Sequence, residues 1–368
     1  MIALPNWAQR LLAACVLLCC LDAAQAQDQA AEGTGFGLDP NAERYRLGQG
    51  LPLGDSGFTL GGYGTLSAGQ GKADHAVQTD EGDWRAGLDS LSAFLWWNDG
   101  RRWSFFSETE LEDSLIVESG TLTTTQSEVE LERFYVDYAR NDLLKLRVGK
   151  FLTPVGRWNL IHASPLVWTT SRPLITETTF PTNATGAMLY GVLPWTIQGV
   201  EYSFYYSPGT ELARDKEIDT FSEAVGGHLS LTPLPYTQIG FSYVNFEQEH
   251  TQDEHKNLYG IDFVWARRRW EISGEFHYRT VSSSSDDRDE TGLYLQAVAP
   301  LTERLYAVAR YETYRRTDAE DDPELYLGGL NFRYRPTVVF KAEYSRASDE
   351  DGEFDIRDGF LASLAVLF

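Results

Sequence analysis

The feature that most constrains this chain is a residue-by-residue alternation of apolar and polar side chains. In the segment WEISGEFHYR, which spans residues 270–279, Trp270, Ile272 and Phe276 fall on one face, while Glu271 and Glu275 fall on the other. A period of two residues is that of a β-strand, whose successive side chains point to opposite faces. One such strand also suits a soluble sheet, so the number and spacing of the strands decide the fold.

Sixteen segments alternate in this way, and most are close to the ~9–11 residues that a tilted strand needs to cross a bilayer. They are residues 57–70, 84–98, 102–112, 128–139, 143–151, 184–193, 195–207, 221–232, 235–247, 257–266, 269–281, 290–299, 304–315, 324–334, 336–346 and 358–368.

The connections between these segments alternate strictly between short and long. Short ones include PW, PL and RR, and the longest connection is residues 152–183. Short periplasmic turns that alternate with longer external loops, and an even number of strands, are typical of bacterial outer-membrane barrels. A β-sandwich offers no reason for such regularity. The sequence therefore predicts an all-β fold, a transmembrane antiparallel β-barrel of about 16 strands over residues 57–368.

The beginning of the chain predicts export. Residues 1–26 combine Arg10, the apolar run LLAACVLLCCL and the small residues Ala24 and Ala26, which is the pattern of a cleaved signal peptide. Residues 27–56 are rich in Gly, Pro and polar residues, and we expect a flexible periplasmic extension. The expected location is the bacterial outer membrane.

Composition excludes several functions. All three cysteines lie in the predicted signal peptide, which excludes a disulfide scaffold, a thiol enzyme and a cysteine metal site in the mature chain. The net charge of −23 argues against nucleic-acid binding. There is no Gly-x-Ser-x-Gly elbow, and the adjacency of His162 and Ser164 says little about catalytic geometry. We expect no enzyme, no cofactor and no metal, although His250 and His255 in EHTQDEH are candidates for a loose metal site.

The chain ends with an alternating strand, GFLASLAVLF. Phe360, Leu364, Val366 and Phe368 are predicted to face lipid, with the final aromatic at the membrane interface. This segment, with Ala362 its weakest member, resembles the C-terminal signal of outer-membrane barrels, which the barrel-insertion machinery reads. The resemblance implies that these residues form an assembly signal.

A second resemblance concerns the stretch after the fifth strand. Residues 147–151, RVGKF, followed by Pro154, Val155 and Gly156, resemble the corresponding stretch of the phosphate-selective porin O/P-like group. Strand number, loop placement and the terminal Phe also resemble sixteen-stranded porins. The resemblance implies a long loop that folds inward after the fifth strand and narrows the barrel, and a homotrimer. Outer-membrane lipid, lipopolysaccharide and small solutes are the other implied partners.

The composition of residues 152–183 suits an inward fold, because Trp158 and Trp168 would be costly on an exposed loop. We therefore predict a constriction along the solute path. An alternative is that its cations pair with wall carboxylates and hold the loop down. The candidate residues are Lys150, Arg157, His162, Arg172, Glu177, Arg133 and Arg147.

Charge leaves the solute preference open. Cations and carboxylates nearly balance on the predicted lumen faces, which departs from a phosphate-selective pattern. The external loops are acidic, as in SSSSDDRDE and ASDEDGEFD, and would concentrate cations near the rim. We interpret the chain as a porin, a water-filled diffusion channel for small hydrophilic or ionic solutes. The alternative is a surface-binding protein, an adhesin or receptor that acts through its acidic loops.

The predicted topology can be tested on whole cells, because the mature chain has no cysteine of its own. Cysteines introduced at Ser283 or Asp318, in predicted external loops, should react with a membrane-impermeant thiol reagent. Cysteines at Asn98 or Asn141, in predicted periplasmic turns, should not. The reverse labelling pattern would contradict the loop assignment.

Overall fold

The computed structural model describes residues 48–368, apart from residues 75–76, 79–83, 119–120, 124–127, 162, 197, 214–218, 252, 284–286, 320–321 and 349–357. Over this part of the chain, sixteen long antiparallel strands form one closed barrel. Among the described helices, none is long and apolar enough to cross a bilayer.

The strands follow the sequence in order around the barrel. They are β1 (Phe58–Asp74), β2 (Trp84–Asn98), β3 (Trp103–Glu118), β4 (Glu128–Asn141), β5 (Leu144–Leu152), β6 (Asn183–Leu193), β7 (Val200–Ser207), β8 (Phe221–Leu234), β9 (Thr237–Gln248), β10 (His255–Arg267), β11 (Trp270–Ser282), β12 (Asp287–Pro300), β13 (Leu305–Arg316), β14 (Glu324–Arg335), β15 (Val338–Ser348) and β16 (Asp358–Leu367). Three short segments extend the sheet: Leu51–Pro52, Val77–Gln78 and Thr121–Thr123.

The barrel closes where the last strand meets the first. β16 pairs with β1 over ten residue pairs, from Asp358 opposite Lys72 to Leu367 opposite Tyr63. Closure leaves no edge with unpaired backbone groups, which is what a lipid environment requires. The predicted fold class, a closed sixteen-stranded transmembrane barrel, is confirmed.

The alternating apolar and polar residues of each strand lie on opposite faces of the barrel wall. On β11, Trp270, Ile272 and Phe276 are exposed on the outside, while Glu275 and His277 are buried on the inside. The exposed apolar band suits lipid, and the polar interior suits water.

The connections also alternate as predicted. Short turns such as residues 235–236 and 268–269 lie at one end, and the long loops lie at the other. The start of β7 differs most from the prediction: it is Val200 and not residue 195. The N–H of Gly199 bonds the carbonyl of Thr196 at 3.1 Å in a turn, and Gly199 has φ 82°. Only glycine adopts this conformation without cost.

The predicted N-terminal extension lies mostly outside the described residues, as does the whole predicted signal peptide. Its last part, residues 48–56, is held against the barrel. Leu51–Pro52 pairs with Leu60 and Thr59 of β1, and a short 3₁₀ turn at Gly54–Ser56 leads into that strand. The last residues of the extension predicted over residues 27–56 are therefore ordered against β1. The assignment of the earlier residues stays a prediction.

The connection from β5 to β6 carries two short helices, α1 (Trp158–Ile161) and α2 (Leu174–Thr178). The backbone N–H of Thr153 donates to the carbonyl of Thr182 at 2.8 Å, so the two ends of the loop are joined. We call residues 153–182 the inner loop.

The structure shows how Phe368 takes part in closure. Its backbone N–H and carbonyl both pair with Gly62 of β1, at 2.8 and 3.1 Å, and its ring lies over Gly62. Phe360 lies earlier in the chain, on β16. It packs edge-on against Trp84 of β2, with ring centroids 5.7 Å apart. The C-terminal residues thus join the two ends of the sheet.

We expect Phe368→Asp to leave unfolded chain in the periplasm, because it removes the ring that covers Gly62 and changes the predicted assembly signal. Heat-modifiable mobility of outer-membrane fractions measures the folded yield. Phe332→Asp is the matched control, since it also removes an outward aromatic, but from a strand inside the chain. Equal folded yields of the two variants would contradict a special role for the last residue.

Candidate functional site: the inner loop and the passage beside it

The inner loop lies inside the barrel. Its wall partners include Glu275, Glu312 and Glu343, which are all buried on the face opposite to the exposed apolar band. Residues that alternate with them, such as Tyr344, are exposed on the outside. The loop therefore occupies the lumen, as the sequence predicted.

The first anchor is Glu275 on β11. Its Oε1 accepts the backbone N–H groups of Arg157 and Trp158, at 3.0 and 2.6 Å, and the hydroxyl of Tyr294 at 3.1 Å. These N–H groups stand at the start of α1, where a helix leaves donors without internal partners. A carboxylate there makes charge-assisted hydrogen bonds, which are stronger than neutral ones.

Two more carboxylates repeat this arrangement farther along the loop. Glu343 of β15 accepts the N–H groups of Thr170 and Ser171, both at 2.8 Å. Glu312 of β13 accepts the N–H of Leu174 at 2.6 Å, at the start of α2. Three wall carboxylates thus satisfy five backbone donors of the loop.

Wall cations satisfy the carbonyl groups. Arg310 donates to the carbonyl of Ser171 at 3.0 Å and to the hydroxyls of Thr169 and Ser171, both at 2.8 Å. Lys341 donates to the carbonyl of Thr169 at 2.9 Å, and Arg279 donates to that of Thr179 at 2.8 Å. The loop backbone is therefore bonded to the wall through both its donors and its acceptors.

Apolar packing completes the docking. Trp158, Val167 and Ile175 of the loop pack with Tyr294 and Tyr314 of the wall. A second buried cluster surrounds the loop ends and comprises Phe151, Val155, Phe180, Ala184, Met188, Tyr205, Phe221, Ala224, Val244, Phe246 and Leu258. Burial of this kind contributes about 25 cal/mol per Å² of apolar surface removed from water, so the inner loop is a packed part of the barrel.

Gly156 permits the closest approach of loop and wall. Its φ is +62°, and a Cβ at this position would lie 2.0 Å from Oε2 of Glu275. Its N–H donates to Oγ of Ser242 at 3.1 Å. Only glycine combines this backbone conformation with that proximity.

A cavity lies beside the docked loop, and we call it the passage. It has a volume of about 360 Å³, runs along the inner faces of β4–β8 and is bounded on the other side by the loop. Its lining residues are Arg133, Lys145, Arg147, Leu152, Pro154, Leu160, Met188, Tyr190, Gly191, Val192, Glu201, Tyr202, Ser203 and His228.

Two cations of the passage, Arg133 and Arg147, are more exposed than the carboxylates with which they pair. Arg147 forms two hydrogen bonds with Asp137, at 2.8 and 2.9 Å, and its guanidinium lies 3.6 Å from the ring centroid of Tyr135. Arg133 pairs with Glu108, which is buried. Side-chain exposure is 20–21% for the two arginines but 0–11% for their acidic partners. In these two pairs the cation is therefore the more accessible partner.

The structure brings Arg133 and Arg147 together in the passage, but it places the other predicted residues elsewhere. Arg157 donates from its side chain to Gln238 at 3.2 Å, and Arg172 donates to Oδ1 of Asn159 at 2.6 Å. Both thus hold the loop, which favours the alternative in which loop cations serve docking, although these two partners are amides. Glu177 is half-buried on α2, and His162 lies outside the described residues.

The structure places Lys150 on the outer face of the wall and not in the lumen. It pairs with Phe134, which is exposed on the outer face, and directly paired side chains share a face. Its Nζ lies 3.3 Å from Glu211 and donates to the carbonyl of Ala213 at 3.0 Å. The stretch after β7 therefore folds over the outer wall and buries this ion pair there.

Sequence reasoning missed the anchors. Alternation assigned Glu275, Glu312 and Glu343 to the lumen, but nothing local shows that they bind loop residues at least 117 positions away along the chain. Lys145 and Tyr190 were also missed as lining residues of the passage. Alternation again supplied their face but not their neighbours.

Comparison with known proteins adds the following relatives. No protein-family model matches the chain. An uncharacterized protein from Aquifex aeolicus (strain VF5) is 24% identical over 352 residues, which cover 80% of this chain and 77% of that protein.

Several solved structures share the fold. The anion-selective porin from Comamonas acidovorans has a TM-score of 0.59 and 13% identity, with 84% of this chain and 98% of that chain covered. The outer-membrane channel DcaP of Acinetobacter baumannii has a TM-score of 0.59 and 10% identity, with 84% and 97% covered. OmpT of Vibrio cholerae in its trimer form has a TM-score of 0.57 and 9% identity, with 84% and 99% covered.

At these identities the likeness shows the fold. The chain has the fold of the sixteen-stranded outer-membrane porins. A closed barrel with an apolar outer wall belongs in the bacterial outer membrane.

The docking geometry predicts a strong effect of Gly156→Ala. The new Cβ would clash with Glu275, and a non-glycine residue at positive φ costs about 1–3 kcal/mol by itself. We expect a lower urea midpoint of unfolding in lipid and a less stable open-channel current. Gly328→Ala is the matched control, because its Cβ would meet nothing within 4 Å. Equal unfolding midpoints for the two variants would contradict the tight approach at Gly156.

Proposed function

We propose that this protein is a porin, a water-filled diffusion channel for small hydrophilic or ionic solutes. The observation that carries the proposal is the passage of about 360 Å³ beside the docked inner loop. The loop fills one side of the lumen and leaves a path along β4–β8 that is lined by apolar residues and by the charged residues Arg133, Lys145, Arg147 and Glu201. Solutes would cross down their gradient, selected by width and by the charges at the narrowest part.

We infer a preference for anions. Arg133, Lys145 and Arg147 line the passage, and Glu201 supplies the carboxylate among its described lining residues. The other lumen carboxylates, such as Glu275 and Glu343, bind the loop backbone. The Comamonas acidovorans structure, whose title describes an anion-selective porin, shares the fold and so supports this proposal.

We infer that the barrel performs no hydrolysis. Ser242, His228 and Asp262 lie close together in the wall, which invites comparison with a catalytic triad. However, the Ser242 hydroxyl lies 2.9 Å from Nδ1 of His228, and Asp262 approaches that same nitrogen at 3.8 Å. A triad needs the serine and the carboxylate on opposite nitrogens of the imidazole. Ser242 is also buried and accepts the N–H of Gly156.

The alternative, a binding protein that acts through acidic external loops, has less support. Residues 284–286, 320–321 and 349–357 of the acidic loops lie outside the described residues, but several acidic residues in the described parts are paired within the protein. Glu254 bonds Arg288 at 2.7 Å and Lys256 at 3.0 Å, and Asp322 bonds Arg315 at 2.7 Å. Burial alone would raise the pKa of Glu254, but the hydrogen bonds from Arg288 and Lys256 outweigh it and lower that pKa. Such carboxylates are less available to a partner.

We extend three partner assignments as proposals. Outer-membrane lipid and lipopolysaccharide would contact the exposed apolar band. The barrel-insertion machinery would recognise the segment that contains Phe360, Leu364, Val366 and Phe368. A homotrimer is consistent with the trimer form of the Vibrio cholerae structure, which shares the fold.

Reversal potentials in asymmetric KCl across planar bilayers test both the channel and its preference. We expect the wild-type channel to favour chloride, and Arg147→Ala to lower the chloride-to-potassium permeability ratio roughly two- to fivefold, because one charge at 4 Å is worth about 1 kcal/mol in water.

The matched control is Arg346→Ala, which removes one positive charge from the exposed outer face of β15. This control should leave the ratio unchanged. A wild-type protein that folds but passes no ions would contradict the channel. A channel that favours potassium, or that responds equally to the two substitutions, would contradict the anion preference.

A further inference from the structure

The three carboxylate anchors of the inner loop differ in their countercharge. Glu312 lies 2.7 Å from Nε of Arg310, and Glu343 shares the inner face of β15 with Lys341 two residues away. In the described part of the chain, neither lysine nor arginine comes within ion-pair distance of Glu275. Its ion-pair neighbour is His277, whose Nε2 lies 3.6 Å from Oε2 of Glu275.

The hydrogen bonds around His277 fix its tautomer. The hydroxyl of Thr179 lies 2.5 Å from the carbonyl of Ile175 and donates its single hydrogen there. The same hydroxyl lies 2.9 Å from Nδ1 of His277, so it must accept a hydrogen from that nitrogen. Neutral His277 therefore carries its hydrogen on Nδ1 and presents a bare Nε2 to Glu275.

The two oxygens of Glu275 are used unequally. Oε1 accepts all three hydrogen bonds described above, from Arg157, Trp158 and Tyr294. Oε2 has no hydrogen-bond partner, and neither does Nε2 of His277. Two bare acceptors would thus face each other at a site where both side chains are at most 1% exposed. Buried acceptors without a donor are costly.

Among the described residues, no hydrogen-bond donor reaches Oε2 of Glu275 or Nε2 of His277. Asp262 of β10 stands directly opposite Glu275, and Gly260 and Gly292 stand opposite His277. The ring of Phe180 covers His277 with centroids 5.7 Å apart.

The nearby charged and titratable groups are His228 of β8, Asp262 of β10, Arg279 of β11, Tyr294 of β12, Arg310 of β13 and Arg157 of the loop. Arg279 is bonded to Glu290 and to the carbonyls of Thr178 and Thr179, so it does not serve Glu275.

We propose that one proton is held between Oε2 of Glu275 and Nε2 of His277, and that this proton keeps the inner loop docked. Glu275 and His277 are thus positioning residues for the constriction. When the pH rises far enough, the proton passes to bulk water and leaves an ionised carboxylate in a dry site, facing a lone pair and Asp262. The beginning of the loop, from Gly156 to Trp158, then loosens, and the channel depends on pH.

Glu275→Gln tests this directly. The glutamine keeps a carbonyl oxygen for the three donors and places a permanent N–H where Oε2 was, facing His277. We expect open-channel current noise of the wild type to rise about twofold or more between about pH 5 and about pH 9, as a locally anchored segment gains undocked states. Glu275→Gln should abolish this rise and keep the quiet current at all pH values.

The matched control is Glu271→Gln, a change on the same face of β11 at a carboxylate that, among the described residues, accepts only the side-chain N–H of Trp168, at 3.0 Å. It should retain the pH-dependent rise. A wild-type current that is equally quiet across this range would overturn the proposal, as would a Glu275→Gln channel that still shows the rise.

Histidine ¹⁵N resonances in lipid nanodiscs test the proton without any current. The resonances of His277, assigned by their loss in His277→Asn, should show Nδ1 protonated throughout and Nε2 shifting at one pH. A neutral His277 with its hydrogen on Nε2 would overturn the proposal. Absence of current at every pH would contradict the proposed channel function. The resonances of His277 would still show whether the proton lies between Glu275 and His277.

Discussion

The structure depends first on one constraint: no backbone polar group can be left unpaired where water is absent. In the wall, this constraint makes the sheet close, so that β16 pairs with β1 from Asp358 to Leu367 and no edge faces lipid. Closure in turn fixes which side chains point outward, because a strand slipped by one residue would exchange its two faces. The apolar band and the polar lumen both follow from it.

The same constraint acts again inside the barrel. The inner loop has no neighbouring strand for most of its length, yet it is packed among wall side chains. Glu275, Glu312 and Glu343 accept its N–H groups, and Arg310 and Lys341 donate to its carbonyls. Charged side chains thus provide the hydrogen bonds that a neighbouring strand would otherwise make with the loop backbone. Their number on the β9–β16 side reflects this structural demand, and it is not a sign of a charged solute path there.

The sequence predicted the wall well because its signal is local. Alternation is repeated in every strand, and the membrane fixes strand length, so most ends agree within a few residues. The site was predicted less well, since loop-to-wall contacts join distant parts of the chain. Arg133 and Arg147 were placed in the passage, but the anchors were missed. The placement of Lys150 differs from the prediction for a local reason: alternation through Gly149 and Phe151 already assigned it to the outer face, and its charge suggested the lumen instead. The outer stretch that buries it with Glu211 has no signal in the sequence.

The docking of the inner loop and the proposed anion preference are linked, because both depend on which groups the lumen carboxylates bind. Cations and carboxylates nearly balance over the whole lumen. A solute in the proposed passage, however, would meet only the charged groups that line it. On the β9–β16 side, Glu275, Glu312 and Glu343 point at backbone donors of the loop and are buried. On the β4–β8 side, Asp137 and Glu108 lie behind Arg147 and Arg133, whose outer surfaces stay partly open to the passage. Charge that is buried against a partner acts weakly on a passing ion, whereas partly exposed charge at the lining acts at short range with little screening. The proposed anion preference is therefore compatible with a lumen of mixed composition, because docking the loop takes up the carboxylates of Glu275, Glu312 and Glu343.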